Sequence, residues 1–183
     1  NKFNYNSLIL DDLKLQCRLK KNFTGVCKVG SLGSISSPFI DVDNLSGIFE
    51  IDEKKYTLKE VIFESDAGNG MITYAQHTSE FQTLNCKLDM INVSKLAKLF
   101  NSLPVIEGGP LQAKINYYAS IDSSSTQVNI QSNSLKIDNF SIGGSKIKLT
   151  KINDNLEYEA NLYQPEILEL KLDTLHLSGS GEK

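Results

Sequence analysis

Along most of this chain apolar and polar residues alternate one by one. Leu13, Leu15, Cys17 and Leu19 are interleaved with Lys14, Gln16, Arg18 and Lys20. Side chains of a β-strand point to opposite faces in turn, so this pattern predicts a strand with one apolar and one wet face. The pattern returns at Val61 and Phe63, at Leu84, Cys86, Leu88 and Met90, and at Leu111, Ala113, Ile115 and Tyr117. The last third repeats it at Leu135 and Ile137, at Ile147 and Leu149, at Leu156, Tyr158, Ala160 and Leu162, and at Leu168, Leu170 and Leu172. Leu175 and Leu177 resume in shifted phase, which predicts a bulge or bend near Asp173-Thr174.

Turn-forming residues punctuate these runs at Ser31-Leu32-Gly33, Asp43-Asn44, Asp52–Lys55, Asp66–Gly70, Gly143-Gly144 and Asn153–Asn155. Links of hairpin length between successive strands predict a meander of antiparallel neighbours. Ser123–Thr126 reads as a polar loop, and the tail from Ser178 to Lys183 as disordered.

One segment leaves the two-residue period. Between Asn92 and Pro104, Leu96, Leu99, Phe100 and Leu103 recur at helical spacing, with Asn92 or Ser94 as N-cap and Pro104 as stop. This predicts a short amphipathic helix around 93–103 whose apolar stripe plugs one end of the β structure. The expected fold is therefore mostly β: a curved antiparallel meander, groove-like or sandwich-like, with that single helix. It reads as one elongated domain, 1–183, with halves at 1–91 and 105–178 as the alternative division.

Composition narrows the function classes. The 183 residues are 40% hydrophobic and 22% charged, with a net charge of −3, so no global positive field draws the chain to nucleic acid. Charges of both signs are interleaved, which reads as a solvated β surface. No apolar run reaches the roughly 18 residues of a membrane-spanning helix. The chain starts at Asn1, and we expect a processed chain or an excised fragment, with any anchor or export signal upstream.

Catalytic motifs are missing. The two histidines, His77 and His176, have no acid and nucleophile at motif spacing, and no GxSxG, HExxH, P-loop or GxGxxG occurs. Asp41, Asp43, Asp52 and Glu53 lack the register of a calcium loop. Glu157 and Glu159 alternate with Leu156, Tyr158 and Ala160 and read as solvation of a wet strand face. No enzyme, metal or cofactor is expected. Three cysteines show no zinc spacing. Cys17 and Cys27 flank a polar turn and have two open readings, a disulfide across a hairpin or small buried hydrophobes. Cys86 falls in an apolar register and reads as core. The sequons at Asn22, Asn44, Asn92 and Asn139 do not establish glycosylation in so Asn-rich a chain.

From Leu58 to Ala119 the elements follow a particular order. Leu58–Phe63 is followed by a glycine-started strand, Gly68–Tyr74, and a strand with alternating leucines, Leu84–Met90. Then come the stretch Val93-Ser94-Lys95-Leu96-Ala97-Lys98-Leu99-Phe100, the glycine pair Gly108-Gly109 and another strand. This order resembles the AsmA-like superfamily of Gram-negative envelope proteins, which includes TamB-like and YhdP-like proteins and the N component of type II secretion systems. The resemblance covers about a third of the chain. It implies a curved antiparallel sheet with a greasy inner face, a periplasmic location, a tether to the inner membrane outside this chain, and phospholipid or another acyl-chain ligand. It implies no catalytic residues.

The leading functional expectation is thus a non-enzymatic envelope domain in lipid handling or envelope assembly, with groove candidates Ile147, Leu149, Leu156, Tyr158, Leu168, Leu170 and Leu172. One alternative is an accessory structural subunit of a type II secretion or pilus machine, acting through contacts with other envelope proteins. Another is an extracellular β-sandwich binding module with functional loops at Asp122–Thr126 or Asp66–Gly70.

Overall fold

The computed structural model describes residues 2–5, 8–11, 15–20, 24–36, 41–52, 54–65, 68–92, 106–137, 140–167 and 170–182. Within them the alternating segments become strands, each paired antiparallel with its neighbour. The first half contains β1 (Lys2–Tyr5), β2 (Leu8–Asp11), β3 (Leu15–Leu19), β4 (Gly25–Ser36), β5 (Asp41–Asp52), β6 (Lys55–Ser65), β7 (Gly68–Thr78) and β8 (Phe81–Ile91). The second half contains β9 (Ile106–Gly108), β10 (Leu111–Ser120), β11 (Ser124–Ser132), β12 (Leu135–Ile137), β13 (Phe140–Ile142), β14 (Gly144–Ile152), β15 (Asn155–Tyr163), β16 (Glu166–Ile167), β17 (Leu170–Lys171) and β18 (Thr174–Glu182).

Thirteen of the described strands form one open sheet in the order β1-β2-β4-β5-β6-β7-β8-β10-β11-β14-β15-β18, with β3 also on β4. Its two ends do not pair. The other five form a small sheet in the order β17-β16-β13-β12-β9. The two orders match strand for strand, because β9 runs into β10, β11 into β12, β13 into β14, β15 into β16 and β17 into β18. The small sheet is therefore the continuation of the large one past a crease.

The crease is written in residues that interrupt a ladder: Gly109-Pro110, Asn133-Ser134, Gly143, Gln164-Pro165 and Leu172-Asp173. Proline lacks the N–H a ladder needs. Gln164 adopts a positive φ of 50°. The backbone nonetheless stays bonded across the crease: the Gly143 N–H donates to the Tyr163 carbonyl at 2.9 Å, and the Leu172 N–H to the Pro165 carbonyl at 3.1 Å. Folding the sheet here buries Leu135 and Ile142 of the small sheet against Ala160 and Leu162 of the large one, with Leu111, Phe140, Ile147 and Leu175 around them. Beside this core Ser132 and Ser145, both buried, share a hydrogen bond of 2.8 Å.

Away from the crease, no second layer covers the large sheet among the described residues. The chain exposes 12479 Å², against about 8,800 Å² for a compact globule of its mass.

Several sequence expectations are corrected. Ser31-Leu32-Gly33 and Asp43-Asn44 lie inside the long strands β4 and β5, where the register shifts, so their residues mark irregularities and not chain reversals. Gly68-Asn69-Gly70 opens β7 and pairs with Phe63–Ser65. Ser124–Thr126 belongs to β11, and Ser178–Glu182 is ordered by pairing with β15. The bend expected near Asp173-Thr174 is present, as the crease between β17 and β18. The helix expected around 93–103, with Leu96, Leu99, Phe100 and Leu103, lies outside the described residues, and no helix occurs within them. The sheet is continuous across that segment, because β8 pairs directly with β10.

Candidate functional site

Register converts separate alternations into one surface. Val61, Ile72, Cys86, Ile115, Val128, Leu149 and Tyr158 stand directly opposite one another, strand after strand. A parallel row runs Phe49, Leu58, Ala75, Leu84, Tyr117. Another runs Leu88, Ala113, Ile130, Ile147, Ala160, Leu177. All these rows lie on one face of the sheet, because each is an even number of residues from the next or is separated from it by a bulge.

The bulges shape the face in β5, β6 and β7. Asn44 in β5 and Glu60 in β6 take positive φ values of 50°, and the register of β7 on β8 shifts between Ile72 and Tyr74. Each extra residue moves the apolar step from two to three, as in Leu58 to Val61 and Ile72 to Ala75. Gly47 sits where β5 crosses the β6 bulge, and a Cβ there would lie 2.6 Å from Val61 Cγ2. The bend opens a hollow of about 440 Å³ lined by Val42, Leu45, Gly47, Ile48, Phe49, Leu58, Val61, Phe63 and Ile72. Every lining residue is apolar. Apart from buried Val61, these side chains are only half-buried, because they pack on each other beneath an uncovered surface.

Gly70 stands beside the hollow, opposite Phe63 on one side and Leu88 on the other. The Phe63 ring lies over it, and a Cβ on Gly70 would run into Phe63 Cζ and fall 2.9 Å from Leu88 Cδ2. An aromatic ring laid across a glycine in the opposite strand fills the space a side chain would take.

The sequence-derived groove candidates are divided by the fold. Ile147, Leu149, Leu156 and Tyr158 lie on the apolar face in β14 and β15. Ile147 packs against the crease core. Leu149 and Tyr158 are directly opposed, and Leu156 and Tyr158 are exposed. Leu170 belongs to the small sheet and is 60% exposed, and Leu172 sits in the crease, so neither extends the rows of the large sheet. Leu168 lies outside the described residues. Sequence reasoning missed Val42, Leu45, Phe49, Leu58 and Ile72, which line the hollow. Their signal was present as a three-residue step inside a two-residue pattern, the mark of a bulge.

Among the described residues, the histidines and carboxylates sit singly along the sheet. His77 stacks beside Tyr56, which stacks on Phe49, at centroid separations of 6.3 and 6.4 Å. His176 Nδ1 lies 2.9 Å from Asn161 Oδ1. Glu157 and Glu159 are exposed on the opposite, polar face. Among the described residues no three His, Cys, Asp or Glu side chains gather to hold a metal ion. Cys86 lies within the apolar rows, and burial pushes its thiol above the ordinary value of 9.0. Cys17 and Cys27 stand directly opposite each other in β3 and β4 and are joined by a disulfide. No helix among the described residues is long and apolar enough to cross a membrane. No protein-family model, curated protein or solved structure matches the chain.

Proposed function

We propose that this chain is a non-enzymatic envelope domain of AsmA-like type that holds acyl chains against its open apolar sheet face. The observation that carries this reading is the hollow at Phe49, Leu58, Val61, Phe63 and Ile72. Its volume of about 440 Å³ falls in the range of small-molecule pockets, and its side chains offer no polar partner. A sugar or nucleotide would lose hydrogen bonds there, whereas each methylene buried contributes about 0.8 kcal/mol. The rows leading away from the hollow give a chain of methylenes a path across the sheet toward Leu149 and Tyr158. Exposed apolar surface beyond a few hundred Å² marks a binding face.

Periplasmic residence, with a tether to the inner membrane, is part of the proposal. The disulfide supports it, since such bonds persist in oxidising compartments. A second reading has a specific observation behind it. β18 is a nine-residue edge strand without Pro, Lys or Arg, the usual guards against strand addition. It suits an accessory subunit that binds envelope or secretion-machine proteins by strand pairing.

The test is mass spectrometry of an organic extract of the purified protein, with an unrelated protein carried through in parallel. Phospholipid near stoichiometric amounts is expected. Leu58→Asp and Phe49→Asp should each lose it while keeping the far-ultraviolet spectrum of a β protein. Lipid-free protein that also rejects added fluorescent phospholipid would overturn the proposal in favour of the strand-pairing subunit.

A further inference from the structure

The opposite face of the same sheet gathers lysines that are far apart in the chain. Lys87 of β8 stands directly opposite Lys114 of β10, and Lys114 opposite Asn129 of β11. Asn129 in turn faces Lys148 of β14, with Lys146 two residues away on the same strand. At about 4.8 Å per strand, Lys87 to Lys148 spans about 14 Å. The sheet is hollowed here, leaving an open trough of about 330 Å³.

Three features set this trough apart from an ordinary solvated face. Like charges directly opposed across two strands are destabilising, yet Lys87 and Lys114 are so placed. Lys87 is balanced by Asp89 at 2.9 Å, but among the described residues no hydrogen bond or ion pair engages Lys114, Lys146 or Lys148. Lys171, in β17 outside the trough, pairs with Glu166 at 3.6 Å. Finally, Glu159, directly opposite Lys148 in β15, is the one carboxylate lining the trough, and the rest of its polar wall is built of amides such as Gln112, Gln131 and Asn161.

We infer that this trough is a binding site for a phosphorylated sugar or polyol. Ammonium groups in a row offer point charges to phosphate oxygens. Side-chain amides both donate and accept, which matches hydroxyl groups. No aromatic ring lines the trough to stack a base, which argues against a nucleic acid. The site stands on the face away from the acyl hollow and does not depend on it.

Calorimetric titration of the whole chain tests the inference. The probes are glucose phosphate, glycerol phosphate, unphosphorylated glucose, and phosphatidylcholine vesicles with and without phosphatidylglycerol. A phosphorylated probe is expected to bind saturably, more weakly as salt rises, and glucose not at all. Lys114→Gln and Lys148→Gln should each weaken binding about tenfold or more, with thermal unfolding unchanged, while Lys171→Gln leaves binding intact. Binding to phosphatidylglycerol vesicles alone, lost in both variants, would support the site and assign its phosphate to a lipid headgroup. Absence of saturable binding by every probe, or equal binding by the variants, would overturn it.

Discussion

Gly70 is held to its identity by the ring of Phe63 lying across it. Replacing Gly70 with Ala drives a methyl into that ring and into Leu88, and overpacking of this kind costs about 1–3 kcal/mol. Urea unfolding should show the loss, and an unchanged midpoint would mean the ring is free to swing away. Ser132 and Ser145 make the opposite case, a small buried polar pair in the crease. Ser145→Ala leaves a buried hydroxyl without its partner, at about 1–3 kcal/mol, whereas replacing both removes the unpaired group. The double variant should therefore lose less than the sum of the singles. Cys86 ties stability to pH. Its raised thiol pKa means the folded chain keeps a proton that the unfolded chain releases above about 9. Below that range this contribution is fully present, and it is lost as pH rises through the folded value. Denaturant midpoints on either side of the range, compared with Cys86→Ala, isolate the effect. At this scale the sequence was informative about type and silent about partners. Cys86 read as core from Leu84 and Leu88, and the structure leaves it half-buried within the apolar rows; nothing local told that Lys87 would meet Lys114. That meeting depends on which strands become neighbours and in what register.

At the scale of elements, regular strands were legible and irregular ones were not. Runs such as Leu111–Tyr117 keep an unbroken alternation and became β10 as expected. In β5 and β6 the bulges at Asn44 and Glu60 break the period, and the same polar residues that favour a bulge also favour a turn. Reading Asp43-Asn44 as a turn divided one twelve-residue strand. The apolar hollow was obscured for the same reason, because it is made by the bulges. The hairpin of β3 and β4 gives a prediction of its own. The disulfide spans a sequence separation of 10 residues, and closing a loop of that size contributes about 2–3 kcal/mol through the unfolded chain. The Cys17→Ser, Cys27→Ser pair should unfold earlier by that amount. If the loss is confined to the hairpin, hydrogen exchange will quicken in β3 and β4 while β10 to β15 stay protected.

At the scale of the molecule, the meander was legible from turn spacing, but the crease was not. Five strand pairs cross it, and each crossing uses a different device: Gly-Pro, Asn-Ser, a lone glycine, Gln-Pro, Leu-Asp. Their alignment into one line is visible only after pairing. The open sheet has a measurable signature, since an uncovered apolar face of this extent should bind a hydrophobic dye in the native state and release it when phospholipid is added. Failure of lipid to displace the dye would argue that the two occupy different surfaces. The order of strands has one more consequence. Almost every strand touches only the strands beside it, and β1 and β18 stand at opposite edges. A pull applied between those edges therefore loads the hydrogen bonds one after another, not all at once in shear. Such a sheet yields by peeling, hairpin by hairpin at low force, and can lengthen under tension between two anchors without losing the pairing of the strands not yet reached.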